Sequence, residues 1–259
     1  MKPSFQFILY EVRNSVAWIT INRPEKLNAL TRQMWRDITA ALDLAEKEPA
    51  ATVAAITGSG RAFCGGDDIK ELDILTNAEA VKGLCDDIMD LFDKIELLNK
   101  PVIAAVNGLA YGGGCEIALA SDIVIAAENT SFAQPEARVG VWPFFAALRL
   151  PSAVGKAKAM GMMLTGEPIT AVEAERIGLV TKVVASDQLT GEVEAMAAKV
   201  SQLAPLGVRL VKRTVNNGLR GLHDRDLVLG SVGYLALTED AKEGARAFLE
   251  KRKPIFRGV

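Results

Sequence analysis

Short apolar runs alternate with amphipathic stretches over the first two thirds of the chain, and this alternation constrains its fold most strongly. Continuous apolar runs are typical of buried strands, and apolar residues that recur every three or four positions indicate helices. Strands that alternate with helices predict an α/β fold in which most strands are parallel. The predicted strands are 5–12, 16–21, 53–57, 102–106 and 123–126, and the predicted helices are 31–47, capped by Thr31, and 78–98.

The character of the chain changes after about residue 186, where strand signals end. Residues 187–203, 205–218 and 223–251 are predicted to be mainly helical. We therefore expect an α/β core at 1–186 that carries the functional site. The helical region at 187–259 is expected to pack on this core or to mediate assembly.

Composition narrows the classes of partner. The net charge is −2, with 49% hydrophobic and 24% charged residues, so no overall field would recruit nucleic acid or a membrane surface. No apolar run approaches the roughly 18 residues of a membrane span, and no signal-peptide pattern is present at the N-terminus. We expect a cytoplasmic protein.

Cysteine and histidine content restricts the chemistry. The three cysteines are odd in number and lack CxxC spacing, so no disulfide framework is expected. Cys64 and Cys115 are interpreted as buried fillers rather than nucleophiles. His223 is the only histidine and is assigned a structural role. Acid–base chemistry would therefore depend on carboxylates.

Three consecutive glycines, Gly112–Gly114, precede Glu116 and an apolar run predicted to be a short helix. A glycine turn that opens a helix presents free backbone N–H groups, and a glutamate in the first turn places an acid or base beside them. This arrangement suits a site that polarises a carbonyl and moves a proton nearby.

A second glycine-rich segment, Cys64-Gly65-Gly66-Asp67, also follows a strand-like run. One N–H group from each segment would form an oxyanion hole. Either segment taken alone has about even odds of being only a tight turn. Their shared position after strands favours the functional interpretation.

Glu136 is the second carboxylate of interest because aromatic and proline residues bracket its segment, and apolar surroundings suit a carboxyl group to proton donation. A surface or capping role is the alternative for Glu116 and Glu136. Asp67 and Asp68 lack the regular oxygen spacing of a cation loop, so no metal site is predicted. Lys26, Lys70 and Arg149 are candidates for contacting a phosphorylated ligand, although for each residue alone a solvated surface charge is the stronger interpretation.

Together these segments resemble the enoyl-CoA hydratase/isomerase (crotonase) superfamily over nearly the whole chain. One motif would be moderate evidence, whereas all of them in order are strong evidence. The matching segments are INRPEKLNAL at 21–30, RAFCGGDDIK at 61–70, KPVIAAVNG at 100–108, GGGCE at 112–116, FAQPE at 132–136, TG at 165–166, AERIGLV at 174–180 and AFLEKR at 247–252.

The resemblance implies a spiral core of β-β-α units, with a C-terminal helical region that caps the active site and builds homotrimers or paired trimers (hexamers). It implies an acyl-CoA thioester substrate, whose coenzyme A is part of the substrate, and no separate cofactor. The backbone N–H groups of Asp67 and Gly113 would bind the thioester oxygen. Glu116 and Glu136 match the two glutamates of the family's hydratases, so the resemblance favours hydration of a 2-enoyl-CoA. By motif position, the residues implied to contact the acyl-CoA are Lys26, Ala29, Cys64, Gly65, Asp67, Asp68, Ile69, Lys70, Gly112, Gly113 and Trp142.

One segment departs from the family pattern. Bulky residues, Trp142 to Phe145, stand where the hydratases usually carry a glycine-rich turn. We expect them to reshape the acyl pocket or to shift Glu136. Two alternatives therefore stay open: isomerisation or dehydration of a bulky or cyclic acyl-CoA, and binding of acyl-CoA without catalysis.

Overall fold

The computed structural model describes residues 5–73, 77–221, 234 and 238–259. Its larger sheet has six strands in the order β1-β2-β3-β5-β7-β10, with β1 and β2 forming an antiparallel hairpin and every other pair parallel. The predicted α/β fold with a mainly parallel sheet is therefore confirmed. The strands are β1 (Ile8–Arg13), β2 (Val16–Ile21), β3 (Val53–Gly58), β5 (Val102–Val106), β7 (Ile123–Ala127) and β10 (Lys182–Val184).

A second sheet is built from strands of two or three residues: β4 (Ala62–Cys64), β6 (Leu109–Tyr111), β8 (Ser131–Ala133) and β9 (Ile169–Thr170). Strands β4, β6 and β8 are parallel neighbours. Each follows a strand of the larger sheet and precedes a helix, so the chain repeats a β-β-α unit. None of these segments is among the strands predicted from the sequence, because such short strands show no periodicity of their own.

The helices cover the two sheets. Helix α1 begins after Thr31, whose hydroxyl accepts a hydrogen bond from the backbone N–H of Met34 at 3.3 Å, as an N-cap should. The helices are α1 (Arg32–Lys47), α2 (Ile69–Asp73), α3 (Ala78–Leu97), α4 (Gly113–Ala120), α5 (Phe144–Val154), α6 (Lys156–Thr165), α7 (Ala171–Arg176), α8 (Leu189–Val200), α9 (Pro205–Leu219) and α10 (Glu239–Leu249), with single 3₁₀ turns at Pro24–Lys26, Glu136–Val139 and Ser186–Gln188.

Two apolar clusters divide the core. The larger one joins α1, α3 and α4 to the sheets. The smaller one lies on the other face of the six-stranded sheet, where Leu189, Val193 and Ala197 of α8 pack against Trp18 and Ile103. Thus α8 packs directly on the core.

The described part of the C-terminal region is helical, as predicted, in α8, α9 and α10. His223 and much of the predicted helix 223–251 lie outside the described residues. Within the described ranges, no helix combines the length and the apolar character that crossing a membrane requires.

Candidate active site

The carboxyl ends of β4, β6 and β8 bring together the three segments that sequence analysis selected. Gly65-Gly66-Asp67 leaves β4, Gly112-Gly113 leaves β6, and Gln134-Pro135-Glu136 leaves β8. Because these strands are parallel neighbours, their carboxyl ends share one edge of the sheet, which is where ligands bind in open α/β folds.

Two backbone N–H groups are available at this edge. Those of Asp67 and Gly113 have no hydrogen-bond partner among the described residues, although the neighbouring N–H groups of Asp68 and Gly112 do. The turns need glycine, because Gly66 and Gly112 adopt positive φ angles of 97° and 52°. They also lie close together, since a Cβ atom built on Gly66 would be 3.7 Å from the nitrogen of Gly113.

Glu116 lies in the first turn of α4, as predicted, and its side chain is buried. Its Oε1 accepts a hydrogen bond from the backbone N–H of Ala146 at 2.8 Å. Burial raises the pKa of Glu116 to about 8, with smaller increases from the Glu136 and Asp67 carboxylates, while backbone hydrogen bonds oppose the rise. A carboxyl with this pKa can both hold and release a proton near neutral pH.

Glu136 opens the 3₁₀ turn after β8 and faces the glycine turn, because its Oε1 would lie 3.0 Å from a Cβ atom on Gly112. Burial is the main reason why its pKa is raised to about 7, and the charge of Asp67 adds to the rise. With its amide nitrogen oriented towards the carboxylate, the buried Gln134 donates to both oxygens of Glu136, at 2.9 and 3.2 Å. The two glutamates therefore share one environment.

The Asp67 side chain is bound from helix α1. Trp35 Nε1 donates to Asp67 Oδ1 at 2.8 Å. Burial raises the pKa of Asp67 to about 6, against the opposing effect of this hydrogen bond, and the charge of Glu71 adds to the rise. Sequence analysis missed Trp35, because it occurs in the apolar stripe of α1 and nothing in its pattern marks it as polar-bound.

A cavity of about 530 Å³ opens in front of these groups, between the glycine turns, α3 and the segment before α5. Its wall is mostly apolar, as a binding site for an acyl chain requires. The predicted site residues that line it are Gly65, Asp67, Ile69, Gly112, Gly113, Glu116, Glu136 and Trp142, and further walls come from Val81, Leu84, Cys85, Ile88, Arg138, Val141 and Phe144.

Five predicted binding residues do not line this cavity: Lys26, Ala29, Cys64, Asp68 and Lys70. Lys26 and Lys70 are exposed. Asp68 instead forms an ion pair with Arg23 at 2.8 Å, and Arg23 also donates to the carbonyl oxygen of Ala29. These five predicted residues are therefore not part of the cavity wall, and lie next to the site or on the surface beside it.

The buried cysteines have raised thiol pKa values. Cys64 reaches a pKa of about 12, mainly through burial, and burial likewise raises the pKa of Cys115. A thiol that stays protonated is a poor nucleophile, which agrees with the predicted role of both as small buried fillers.

The aromatic residues of segment 142–145 lie in two different environments. Trp142 stands at the rim of the cavity with 66% of its surface exposed, and Phe144 forms part of the wall. Phe145 is buried instead and stacks on Phe92 with ring centroids 4.1 Å apart. The expectation that the whole segment shapes the pocket was therefore wrong for Phe145, which enlarges the core.

Arg149 lies away from the cavity. It forms a two-pronged ion pair with Glu96, at 2.8 and 3.1 Å, beneath helix α9. The structure therefore separates Arg149 from Lys26 and Lys70, with which it had been grouped as a candidate phosphate contact.

The sequence profile of the enoyl-CoA hydratase/isomerase family matches residues 11–259. The chain belongs to this family. It is 41% identical to a probable enoyl-CoA hydratase of Mycobacterium tuberculosis, with 98% of each chain covered, and 40% identical to a crotonyl-CoA hydratase of Syntrophomonas wolfei, again with 98% of each covered. Its fold matches the crystal structure of an enoyl-CoA hydratase subunit from Geobacillus kaustophilus with a TM-score of 0.91, at 36% identity, covering 98% of this chain and 99% of that one. The predicted crotonase fold and family are confirmed.

Proposed function

We propose that the protein is an enoyl-CoA hydratase, which adds water reversibly across the C2=C3 double bond of a 2-enoyl-CoA to give a 3-hydroxyacyl-CoA. One observation carries the proposal: two carboxyl groups with raised pKa values lie beside two backbone N–H groups that lack partners among the described residues. Acids and bases poised near neutral pH, next to an oxyanion hole, suit proton transfer beside a carbonyl.

In the proposed reaction the thioester oxygen lies between the N–H groups of Asp67 and Gly113. As water adds to C3, negative charge moves onto that oxygen and the thioester becomes enolate-like. Each N–H group stabilises this charge, and a single donor of this kind contributes roughly 2.7–4 kcal/mol.

The two glutamates divide the proton transfers. Glu116 orients the water and takes one of its protons while the water oxygen bonds to C3. Glu136 delivers a proton to C2, where the enolate electrons form the new C–H bond. In reverse, the same groups exchange roles and the site dehydrates a 3-hydroxyacyl-CoA.

The substrate binds through two chemically different parts in this proposal. The acyl group occupies the apolar cavity, and Lys26 and Lys70, which are exposed beside it, would contact the phosphates of the coenzyme A portion. The reaction transfers protons and water only, so the proposal includes no metal or redox cofactor.

Assembly into a trimer or a pair of trimers is part of the proposal. The apolar side chains of Val211, Val215 and Leu219 on α9 are exposed in the single chain, which supports an interface at the helical region.

The test is hydration of crotonyl-CoA, followed as the loss of absorbance of the conjugated thioester. Glu116→Gln and Glu136→Gln should each lower kcat by about 10²–10⁴-fold, because each removes a proton-transfer group. Glu128→Gln is the matched control, since Glu128 is exposed and its side chain has no hydrogen-bond partner among the described residues. Full activity in both site variants would refute the assignment.

A second candidate is favoured by Trp142 and Phe144 at the cavity wall. These rings would suit a bulky or cyclic acyl group, on which the site would act as a Δ3,Δ2-enoyl-CoA isomerase or a dehydratase. Product analysis over short, branched, cyclic and long enoyl-CoAs separates the two candidates, and tight binding without turnover of any of them would indicate a non-catalytic acyl-CoA-binding protein.

A further inference from the structure

An acidic side chain stands at a position where the proposed reaction uses only a backbone N–H group. Asp67 supplies that N–H group and lines the cavity, and its carboxyl group lies beside the glycine turn. Nothing in the hydration chemistry described above requires it there, and an anion beside a developing oxyanion would weaken catalysis if it had no other effect.

The carboxyl group of Asp67 is held in place rather than free. Its Oδ1 accepts the hydrogen bond from Trp35 Nε1, and its Oδ2 would lie 3.6 Å from a Cβ atom on Gly113. Glu136 is close to the adjacent residue, because its Oε1 would lie 3.0 Å from a Cβ atom on Gly112. Three residues after Gly113, Glu116 follows in the first turn of α4. Three carboxyl groups therefore surround one glycine turn.

No basic side chain neutralises this group within the part of the chain that the structure describes. Two arginines are paired with other carboxylates, Arg23 with Asp68 and Arg32 with Asp87. Arg138 lines the cavity, but its Nε donates to the carbonyl oxygen of Thr165. The titratable groups that face Asp67 are Glu71 on its own segment, Glu116 on α4, Glu136 after β8 and the buried thiol of Cys64 at the end of β4. The described residues also form no cluster of three His, Cys, Asp or Glu side chains fit to hold a metal ion.

We propose that Asp67 is a positioning residue whose carboxylate, held by Trp35, keeps the proton on the Glu116–Glu136 pair. This inference rests on the proposed hydratase function of the same site. A negative charge nearby disfavours a second negative charge, so an ionised Asp67 strengthens the binding of protons by both glutamates. The site would then retain a proton donor up to a higher pH than two glutamates alone could.

The Asp67→Asn variant tests the charge with little change of shape. The amide oxygen still accepts the Trp35 hydrogen bond, whereas the negative charge is lost. The limbs of the kcat/KM pH profile should move to lower pH by on the order of half a pH unit. The measured quantity is the pH at which each limb falls. The maximum of kcat/KM is not used, because it also changes when a charge beside the oxyanion is removed. Asp86→Asn removes a charge from an exposed pair on α3 and should leave the profile in place.

The Trp35→Phe variant tests whether Trp35 positions the Asp67 carboxylate, and it keeps an aromatic ring beside Gly113. Loss of the indole donor makes Asp67 harder to ionise, so the limbs should move in the same direction as in Asp67→Asn but less far. In the Asp67→Asn background, Trp35→Phe should give no further movement. Equal movements in the two backgrounds would assign Trp35 a purely structural role and overturn the proposal.

Carboxyl titration by ¹³C NMR of glutamate-labelled protein provides a measurement that does not need turnover. Asp67→Asn should lower the pKa values of Glu116 and Glu136. Unchanged values would overturn the coupling even in an active hydratase. Lowered values in a protein that hydrates no enoyl-CoA would support the coupling and refute the proposed function instead.

Discussion

Two regions of the molecule bury a glutamate, and they treat it in opposite ways. Glu96, 3% exposed, is paired with Arg149 at 2.8 Å and with Arg220 at 2.7 Å. Among the described residues, Glu116, 4% exposed, accepts hydrogen bonds only from the backbone of α5, and its pKa rises to about 8. The degree of burial is the same, so the partners decide whether a buried carboxyl group is a fixed anion or a group that exchanges protons.

The Glu96 network ties α3 to the helical region. Asn216 of α9 donates to the carbonyl oxygen of Glu96, and the buried Lys212 pairs with Asp122 at 2.6 Å. The carboxylates Glu96 and Asp122 are each paired with a basic side chain from another element. A network of this kind contributes to structure. At the glycine turns, by contrast, no basic side chain among the described residues pairs with the carboxyl groups, which leaves them able to exchange protons.

The largest expected effect that would sharpen this comparison is in the paired region. Glu96→Gln leaves the guanidinium groups of Arg149 and Arg220 without their buried anion, so the free energy of unfolding should fall by about 3–5 kcal/mol. Urea denaturation measures it. A decrease of less than about 1 kcal/mol in the free energy of unfolding would show that this network is no stronger than an exposed ion pair, and would contradict the contrast between the two regions.

The stability that the unpaired region contributes should depend on pH. Burial raises the folded pKa of Glu116 from an ordinary value of 4.5 to about 8, so the stability contributed by its neutral form is complete below about pH 4.5 and is lost as the pH rises through about 8. Glu116→Gln is neutral throughout and avoids this loss.

The variant should therefore be more stable than the parent at about pH 9, by roughly 1–3 kcal/mol, and no more stable at about pH 4. Thermal or urea unfolding over this pH range measures the difference. A constant difference would show that burial does not hold the proton on Glu116.

The smallest expected effect compares a glycine of the site with a glycine of helix α6. A Cβ atom on Gly113 would lie 2.9 Å from the Trp35 ring, so Gly113→Ala must displace the N–H group of the turn and lower kcat/KM by about 10-fold. Gly161→Ala is the matched control in α6, where nothing lies within 4 Å. It should keep full activity and add about 0.5–1 kcal/mol of stability.

Much of the site could be predicted from the chain because its residues carry local signals. Gly112–Gly114 and Glu116 predicted a glycine turn followed by a helix, and α4 begins at Gly113 with Glu116 in its first turn. The apolar runs at β3, β5 and β7 were likewise sufficient to predict a parallel sheet.

Other features had no local signal. Strands β4, β6 and β8 have three residues each, and only their pairing with one another makes them strands. In the sequence, Trp35 and Phe145 are simply apolar residues, and nothing indicates where either side chain points. Packing turns the indole of Trp35 towards Asp67 and the ring of Phe145 onto Phe92.

Residue type and spacing thus determined the fold class, the family and the two glutamates with their glycine turns, because turn geometry and apolar periodicity are properties of neighbours along the chain. Tertiary structure decided the rest: which carboxyl groups are unpaired, which lysines and arginines are kept away from them, and which aromatic rings line the cavity. Burial and charge partners depend on residues far apart in sequence, and these are what shift a pKa or leave an N–H group free for a substrate.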